Sequence, residues 1–128
     1  MNFRFSKHYT LEEARALLPQ IREWLEKIQS HGERLAELDV RLRCLSSSGH
    51  DVGGETVNTS IKIRAELQTV SQEFESREIQ IKDLERGLID FPALRDGKEI
   101  FLCWEKDEPE IEHWHDLDSG YPSRERLE

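Results

Sequence analysis

The chain reads as an α+β protein, mainly α: a long antiparallel helical hairpin followed by a small C-terminal three-stranded antiparallel β-meander. Three observations predict this. Apolar residues recur at alternating three- and four-residue spacing through much of residues 11–86. The stretch SSSGHDVGGE, residues 46–55, interrupts that pattern with loop-forming composition. After Gly87 the apolar period changes from 3.6 to 2. A chain of 128 residues that is 35% charged, with a mean hydropathy of -0.73, has a thin core. That composition suits a hairpin, which exposes much of its surface, better than a sphere. One domain is expected over residues 1–128, with a leading segment 1–9, the hairpin at 10–86, the meander at 87–118 and a tail at 119–128.

The first helix opens with Thr10-Leu-Glu-Glu13, a capping box in which the Thr hydroxyl and the Glu carboxylate each satisfy a backbone amide of the first turn. Its apolar seam is Leu11, Ala14, Leu18, Ile21, Leu25, Ile28, Leu35 and Leu42, interrupted by Gly32 and Asp39, and the helix is expected to end near Leu45. Pro19 should kink the helix or loosen its start. His50 and Asp51 in the loop read as exposed turn residues.

The second helix is predicted from Thr56–Thr59 to Arg86, on the seam Ile63, Leu67, Val70, Phe74, Arg77, Ile81, Leu84 and Leu88, with Gly87 as a left-handed C-cap. Two such helices joined by a short loop pack antiparallel, like a coiled coil, placing Leu42 near Ile63 and Leu25 near Arg77. Leu17, Trp24 and Ile79 lie off the seam and mark a second apolar strip that a homodimer, as a four-helix bundle, would cover. Arg77 within the seam has two readings: its stem packs while its head reaches water, or it pairs with an acid across that dimer.

Three strands are expected, Leu88–Phe91, Ile100–Trp104 and Glu110–His115, with turns at Asp96-Gly97 and Lys106–Pro109. Pro92 confines the first strand to an edge or ends it early. Alternation puts Ile100, Leu102 and Trp104 on one side and Phe101, Cys103 and Glu105 on the other. On the third strand Ile111, His113 and His115 point together, opposite Glu112, Trp114 and Asp116.

The segment 101–121, FLCWEKDEPEIEHWHDLDSGY, holds two of three Trp, two of five His and one of two Cys. Residues 1–64 carry 10 Lys/Arg against 9 Asp/Glu, whereas residues 65–128 carry 8 against 18, so the second half bears -10 of the net -9. An acidic half repels phosphate backbones, so nucleic acid is not an expected partner through it. No apolar run is long enough for a membrane span. The N-terminus lacks the apolar core of a secretory signal, so a cytoplasmic location with reduced Cys44 and Cys103 is expected.

His113 and His115, two apart on one strand, can both reach one metal ion, and Asp116, Asp118 or a carboxylate of a neighbouring strand would complete a site for zinc, iron or manganese. The alternative is a structural pair: His115 buried against Trp104 or Trp114 and bonded to Asp116 or Asp118. Cys103 reads as a small buried residue, since a catalytic Cys–His pair needs the imidazole within reach and a lowered thiol pKa. Arg124 can fold back onto the acidic strand or bind an anion.

TLEEARALLP (10–19), KDLERGLIDFPALRDGKEIFLCW (82–104) and EPEIEHWHDLDSGY (108–121) with Arg124 resemble a bacterial family of uncharacterised proteins, domain of unknown function 2203. The resemblance implies no activity. It implies matching positions at Asp83, Asp90, Cys103, Trp104, Glu108, His115, Asp118 and Arg124. His113 and Ser123 depart from the family pattern, which shifts the metal reading from the His-x-His pair to His115 with Asp118 and Asp90. The leading functional expectation is a non-enzymatic binding or interaction protein that dimerises or recruits a protein partner through its hairpin, with Cys103, Trp104, Trp114 and Arg124 as binding candidates. The alternative is a metal-binding protein, a hydrolase or oxidoreductase, using His115, Asp118, Asp90 and His113.

Overall fold

A computed structural model describes residues 2–47 and 54–127. Helix α1 spans Leu11–Ser47 and helix α2 spans Gly54–Glu75; five strands follow, β1 Gln80–Asp83, β2 Leu88–Arg95, β3 Lys98–Glu105, β4 His113–Asp116 and β5 Glu125–Arg126. The strands form one antiparallel sheet in the order β1-β2-β3-β4-β5. His50 and Asp51 lie outside the described residues. The chain divides into two compact units, residues 1–25 with 73–128, and residues 26–72.

Within the second unit the helices run antiparallel. His31 Nε2 lies 3.0 Å from Glu66 Oε2 and Arg64 Nη2 lies 3.4 Å from Asp39 Oδ1. Ile28, Leu38 and Ile63 are buried there, while Leu35, Leu42, Leu67 and Val70 are only partly covered. The expected seam is present but shallow.

The first unit holds the sheet. The capping box forms as read: the Thr10 N–H donates to Glu13 Oε1 (2.9 Å) and the Glu13 N–H donates to the Thr10 hydroxyl (3.1 Å). Helix α1 continues through Pro19. The second helix stops at Glu75, eleven residues before the expected Arg86. The Phe74 carbonyl accepts from both Arg77 and Ile79, and Glu78 takes a left-handed φ of 59°, which turns the chain out of the helix. The segment that had looked like its last turns is β1, paired with β2 through Gln80↔Asp90 and Ile81↔Ile89. The spacing Arg77, Ile81, Leu84, Leu88 fits a helix, but Ile79 and Ile81 also alternate, and the free edge of β2 decides in favour of a strand. The meander therefore has five strands, not three, with the third expected strand reduced to His113–Asp116.

Asp96 and Gly97, at φ 54° and 80°, close β2 onto β3 as a two-residue hairpin. Pro92 lies inside β2 rather than ending it. Strand β1 reaches only Asp90, so no strand partner meets the Pro92 nitrogen, and its carbonyl accepts the Tyr9 N–H at 2.7 Å. One sheet face carries Ile89, Phe91, Ala93, Ile100, Leu102 and Trp104, all buried. The first turns of α1 lie over it, with the Arg22 guanidinium 4.8 Å above the Trp104 ring and the Tyr9 ring edge-on to Phe91. Trp24 packs on Phe74 and under Arg77, whose guanidinium also binds Glu73 within the chain. Trp24 and Ile79 of the expected second strip are thus buried within this unit, while Leu17 is only partly covered.

Gly87 is left-handed (φ 66°) as expected, but in the β1–β2 turn rather than at a helix end. A Cβ there would stand 2.8 Å from Lys106 Cβ. Gly87→Ala combines backbone strain with this collision and should lower stability by about 2 kcal/mol. Urea unfolding checks it, and an unchanged midpoint would show that the turn is not held.

Candidate functional site

The opposite face of the sheet carries polar chemistry. Directly paired residues of antiparallel strands share a face, so the register Asp90↔Cys103, Phe101↔His115 and Cys103↔His113 gathers these side chains on one side. His115 and Asp90 meet across β3: Nε2 lies 2.9 Å from Asp90 Oδ2, and Nδ1 lies 2.7 Å from the Asp116 backbone oxygen. Both ring nitrogens thus face oxygen atoms, an arrangement that favours the doubly protonated imidazolium. Burial works against that charge, but the Asp90 hydrogen bond, the Asp116 carbonyl and the Asp90 charge outweigh it, and the His115 pKa is raised. The Phe101 ring lies tilted against the imidazole, 5.6 Å between centroids, where Trp104 or Trp114 had been expected.

Cys103 completes a group of three. Its Sγ, a carboxylate oxygen of Asp90 and a ring nitrogen of His115 all lie within 4.8 Å of one another. Asp90, Cys103 and His115 are 1%, 0% and 3% exposed. Burial, then the Asp90 charge, pushes the Cys103 thiol up to about 12, with Arg124 opposing. A thiol so held, beside an imidazole whose two nitrogens are already engaged, is not a poised nucleophile. The second Asp90 oxygen, Oδ1, is buried without a hydrogen-bond partner.

The other candidates do not join the group of three, although Arg124 is near enough to act on the Cys103 thiol. Asp118 is at the surface, paired with Arg4 at 2.9 Å, and does not join His115. His113 shares the Cys103 face, but its Nδ1 lies 3.5 Å from Glu108 Oε2. Arg124 does fold back onto the acidic segment: Nη1 donates to both Glu108 oxygens at 3.0 and 3.1 Å, and its guanidinium lies 4.2 Å from the Tyr121 ring centroid. Glu108 also accepts the Glu105 N–H, and its carbonyl accepts the Trp104 indole N–H, so it anchors the β3–β4 connection. Trp104 is buried on the helix-covered face, and Trp114 lies on that face under the Arg95 guanidinium. Neither Trp lines the Asp90–Cys103–His115 group. Asp90 with Cys103 is the pairing that reading β4 alone misses, although the Asp96-Gly97 turn already encodes it.

The sign of the pH dependence follows from the raised His115 pKa. The His115–Asp90 pair contributes stability in full below the unfolded value of about 6.5 and loses it as pH rises through the folded value. His115→Gln should therefore destabilise most near pH 6 and progressively less at higher pH, and a loss constant across urea titrations at pH 6 to 10 would refute a charged His115. Removing one partner of so buried a pair should cost about 3–5 kcal/mol at the low end of that range.

Among the described residues no helix is long and apolar enough to cross a membrane. Neither a curated protein nor a solved structure matches the chain. The family described as an uncharacterized conserved protein, DUF2203, matches residues 7–127, which takes in both helices, the sheet and all three members of the buried group, and the chain belongs to that family.

Proposed function

We propose that this protein binds one transition-metal ion of the zinc class through Asp90, Cys103 and His115. The observation that carries the reading is the convergence of an oxygen, a sulfur and a nitrogen donor within 4.8 Å in a buried group. Donor atoms around tetrahedral zinc stand roughly 3.2–3.8 Å apart, given bonds of about 2.0–2.3 Å. The group needs to contract by about 1 Å, a side-chain adjustment. Charge supports the reading as well. With thiol, imidazolium and carboxylate the group is neutral, and a divalent ion replacing the thiol proton and one imidazole proton leaves it neutral. The unpartnered Asp90 Oδ1 is a donor atom already stripped of water. A thiolate favours zinc or iron over manganese. Three protein donors leave a fourth position, the pattern of catalytic rather than closed structural zinc.

Metal analysis of untagged protein should find about one zinc per chain on the reading of one three-donor site. Cys103→Ser and His115→Ala should each weaken zinc binding by at least about 100-fold, since losing even an outer partner of a ligand costs 10–100-fold. His113→Ala and Asp118→Asn should bind normally. Wild-type protein that takes up no stoichiometric zinc would sink the reading, as would a Cys103→Ser variant that binds as tightly as wild type.

A second reading, an interaction protein working through its hairpin, is supported by Val40 and Ile61 in the second unit, 51% and 59% exposed. A homodimer would cover them. Light scattering at tens of micromolar should then give twice the chain mass for wild type and one chain mass for Val40→Lys/Ile61→Lys. A monomeric wild type removes this reading.

A further inference from the structure

The face that holds Asp90, Cys103 and His115 is crossed by the N-terminal segment, residues 2–9. That segment is fixed to the first unit by carboxylates. Glu99 accepts the backbone N–H of Arg4 (2.7 Å) and of Phe5 (3.0 Å) and faces His8 Nε2 at 2.9 Å. Glu78 accepts the backbone N–H groups of Ser6 and Lys7 and the Ser6 hydroxyl. The Arg4 side chain reaches Asp118. Tyr9 then passes round the free edge of β2 to the other face. Of these contacts the Arg4–Asp118 pair is the exposed ion pair, of a kind that is individually weak, whereas His8 and Glu99 are largely buried.

One apolar contact links the strap to the site. The Phe5 ring stands edge-on to Phe101 at 5.5 Å, and Phe101 lies against the His115 imidazole at 5.6 Å. Phe5, Phe101 and His115 thus form a stack of three rings from the strap down to the candidate ligand. Beside this stack, Arg4, Lys98, Glu99, Asp116, Leu117, Asp118 and Ser119 line an open cleft of about 460 Å³. Glu99 is two residues from Phe101 on β3, and Leu117 two from His115 beyond β4, so the cleft lies one row along the sheet from the imidazole. Its carboxylates are held by exchangeable partners, Asp118 by Arg4 and Asp116 by Lys98.

We propose that the strap is a gate for the buried site and that the acidic cleft beside it is the entry for the cation. The inference rests on the reading of Asp90, Cys103 and His115 as metal donors. A divalent ion is drawn to the cleft by Asp118 and Asp116, the Arg4–Asp118 pair gives way, and displacement of Phe5 frees Phe101 to turn from the imidazole. Asp118 thereby acts on the metal without ligating it. The gate governs rates and leaves stoichiometry and donor set alone.

Zinc release from the loaded full-length chain into excess chromophoric chelator, followed by stopped flow, tests this. Phe5→Ala and Glu99→Gln should speed release at least about tenfold while still binding one zinc per chain. Asp118→Asn should slow zinc uptake several-fold at low ionic strength and less in high salt, because exposed charges are screened over a Debye length of about 10 Å at 0.1 M. Gly87→Ala, destabilised away from the strap, separates gating from general unfolding and should release zinc at nearly the wild-type rate. Release rates equal to wild type in both strap variants, with one zinc bound, overturn the gate and leave the metal site standing. Gly87→Ala releasing zinc as fast as Phe5→Ala also overturns the gate. Wild type binding no zinc overturns both.

Discussion

The β2–β3 hairpin is the constraint on which the first unit depends. Asp96 and Gly97 fix a two-residue turn, and that turn dictates every pairing behind it, from Arg95↔Lys98 back to Leu88↔Glu105. A slip of one residue would exchange the faces. Phe91, Leu102 and Trp104 would leave α1, and Asp90 and Cys103 would be driven into the apolar layer. With the observed register β2 and β3 are buried on both faces, one under helix, the other under strap and C-terminal segment. That explains their nearly continuous apolar run. It also explains why a carboxylate survives there: Asp90 is tolerated because His115 lies within hydrogen-bond reach.

Two further clamps keep the flanking strands in place. Glu108 ties the β3–β4 connection to Arg124, and Arg86 ties the β1–β2 turn to Glu105 while lying 4.2 Å from the Tyr121 ring centroid. Arg86 and Arg124 both approach Tyr121, just ahead of the short β5, whose pairing with β4 is continued by the Leu127 N–H donating to the Glu112 carbonyl. The acidic residues that dominate the second half of the chain are therefore not uniformly solvent dressing. Glu78, Glu99, Glu105 and Glu108 each accept a specific donor.

How much of this was legible before the structure depends on which interaction decided each element. The capping box, the start of α1 and the Asp96-Gly97 turn are local, and local signals located them; the second helix begins at Gly54, inside the expected loop. The end of α2 was not legible, because Arg77–Leu88 satisfies helical spacing and strand alternation at once. The tie is broken only by the unpaired edge of β2, which lies several residues further on. Strand β5 is two residues long and has no periodicity to detect. In the site, His115 and Asp90 were both candidates, and Cys103 was noticed as a buried thiol. Assembling the three required two registers. The β2–β3 register follows from the turn and already opposes Asp90 to Cys103. The β3–β4 register depends on a seven-residue connection whose path is set by Glu108, Trp104 and Arg124, and no local pattern encodes that path.

The choice between a structural ion pair and a metal site turns on Cys103. A His–Asp pair alone explains the raised His115 pKa and needs no thiol beside it; an alanine or valine would fill that position on the face equally well. A thiol beside a buried carboxylate is a weak structural choice, because sulfur donates weakly and leaves part of the carboxylate's desolvation uncompensated. The same thiol is the strongest soft donor available to a divalent ion, and its loss of a proton balances the ion's charge together with that of His115. The features that make the group costly as packing are those that a metal would repair. His113, two residues away and on the same face, also buries an Nδ1 without a hydrogen-bond partner, but that atom stands 3.5 Å from Glu108 Oε2, beside the Glu108–Arg124 clamp.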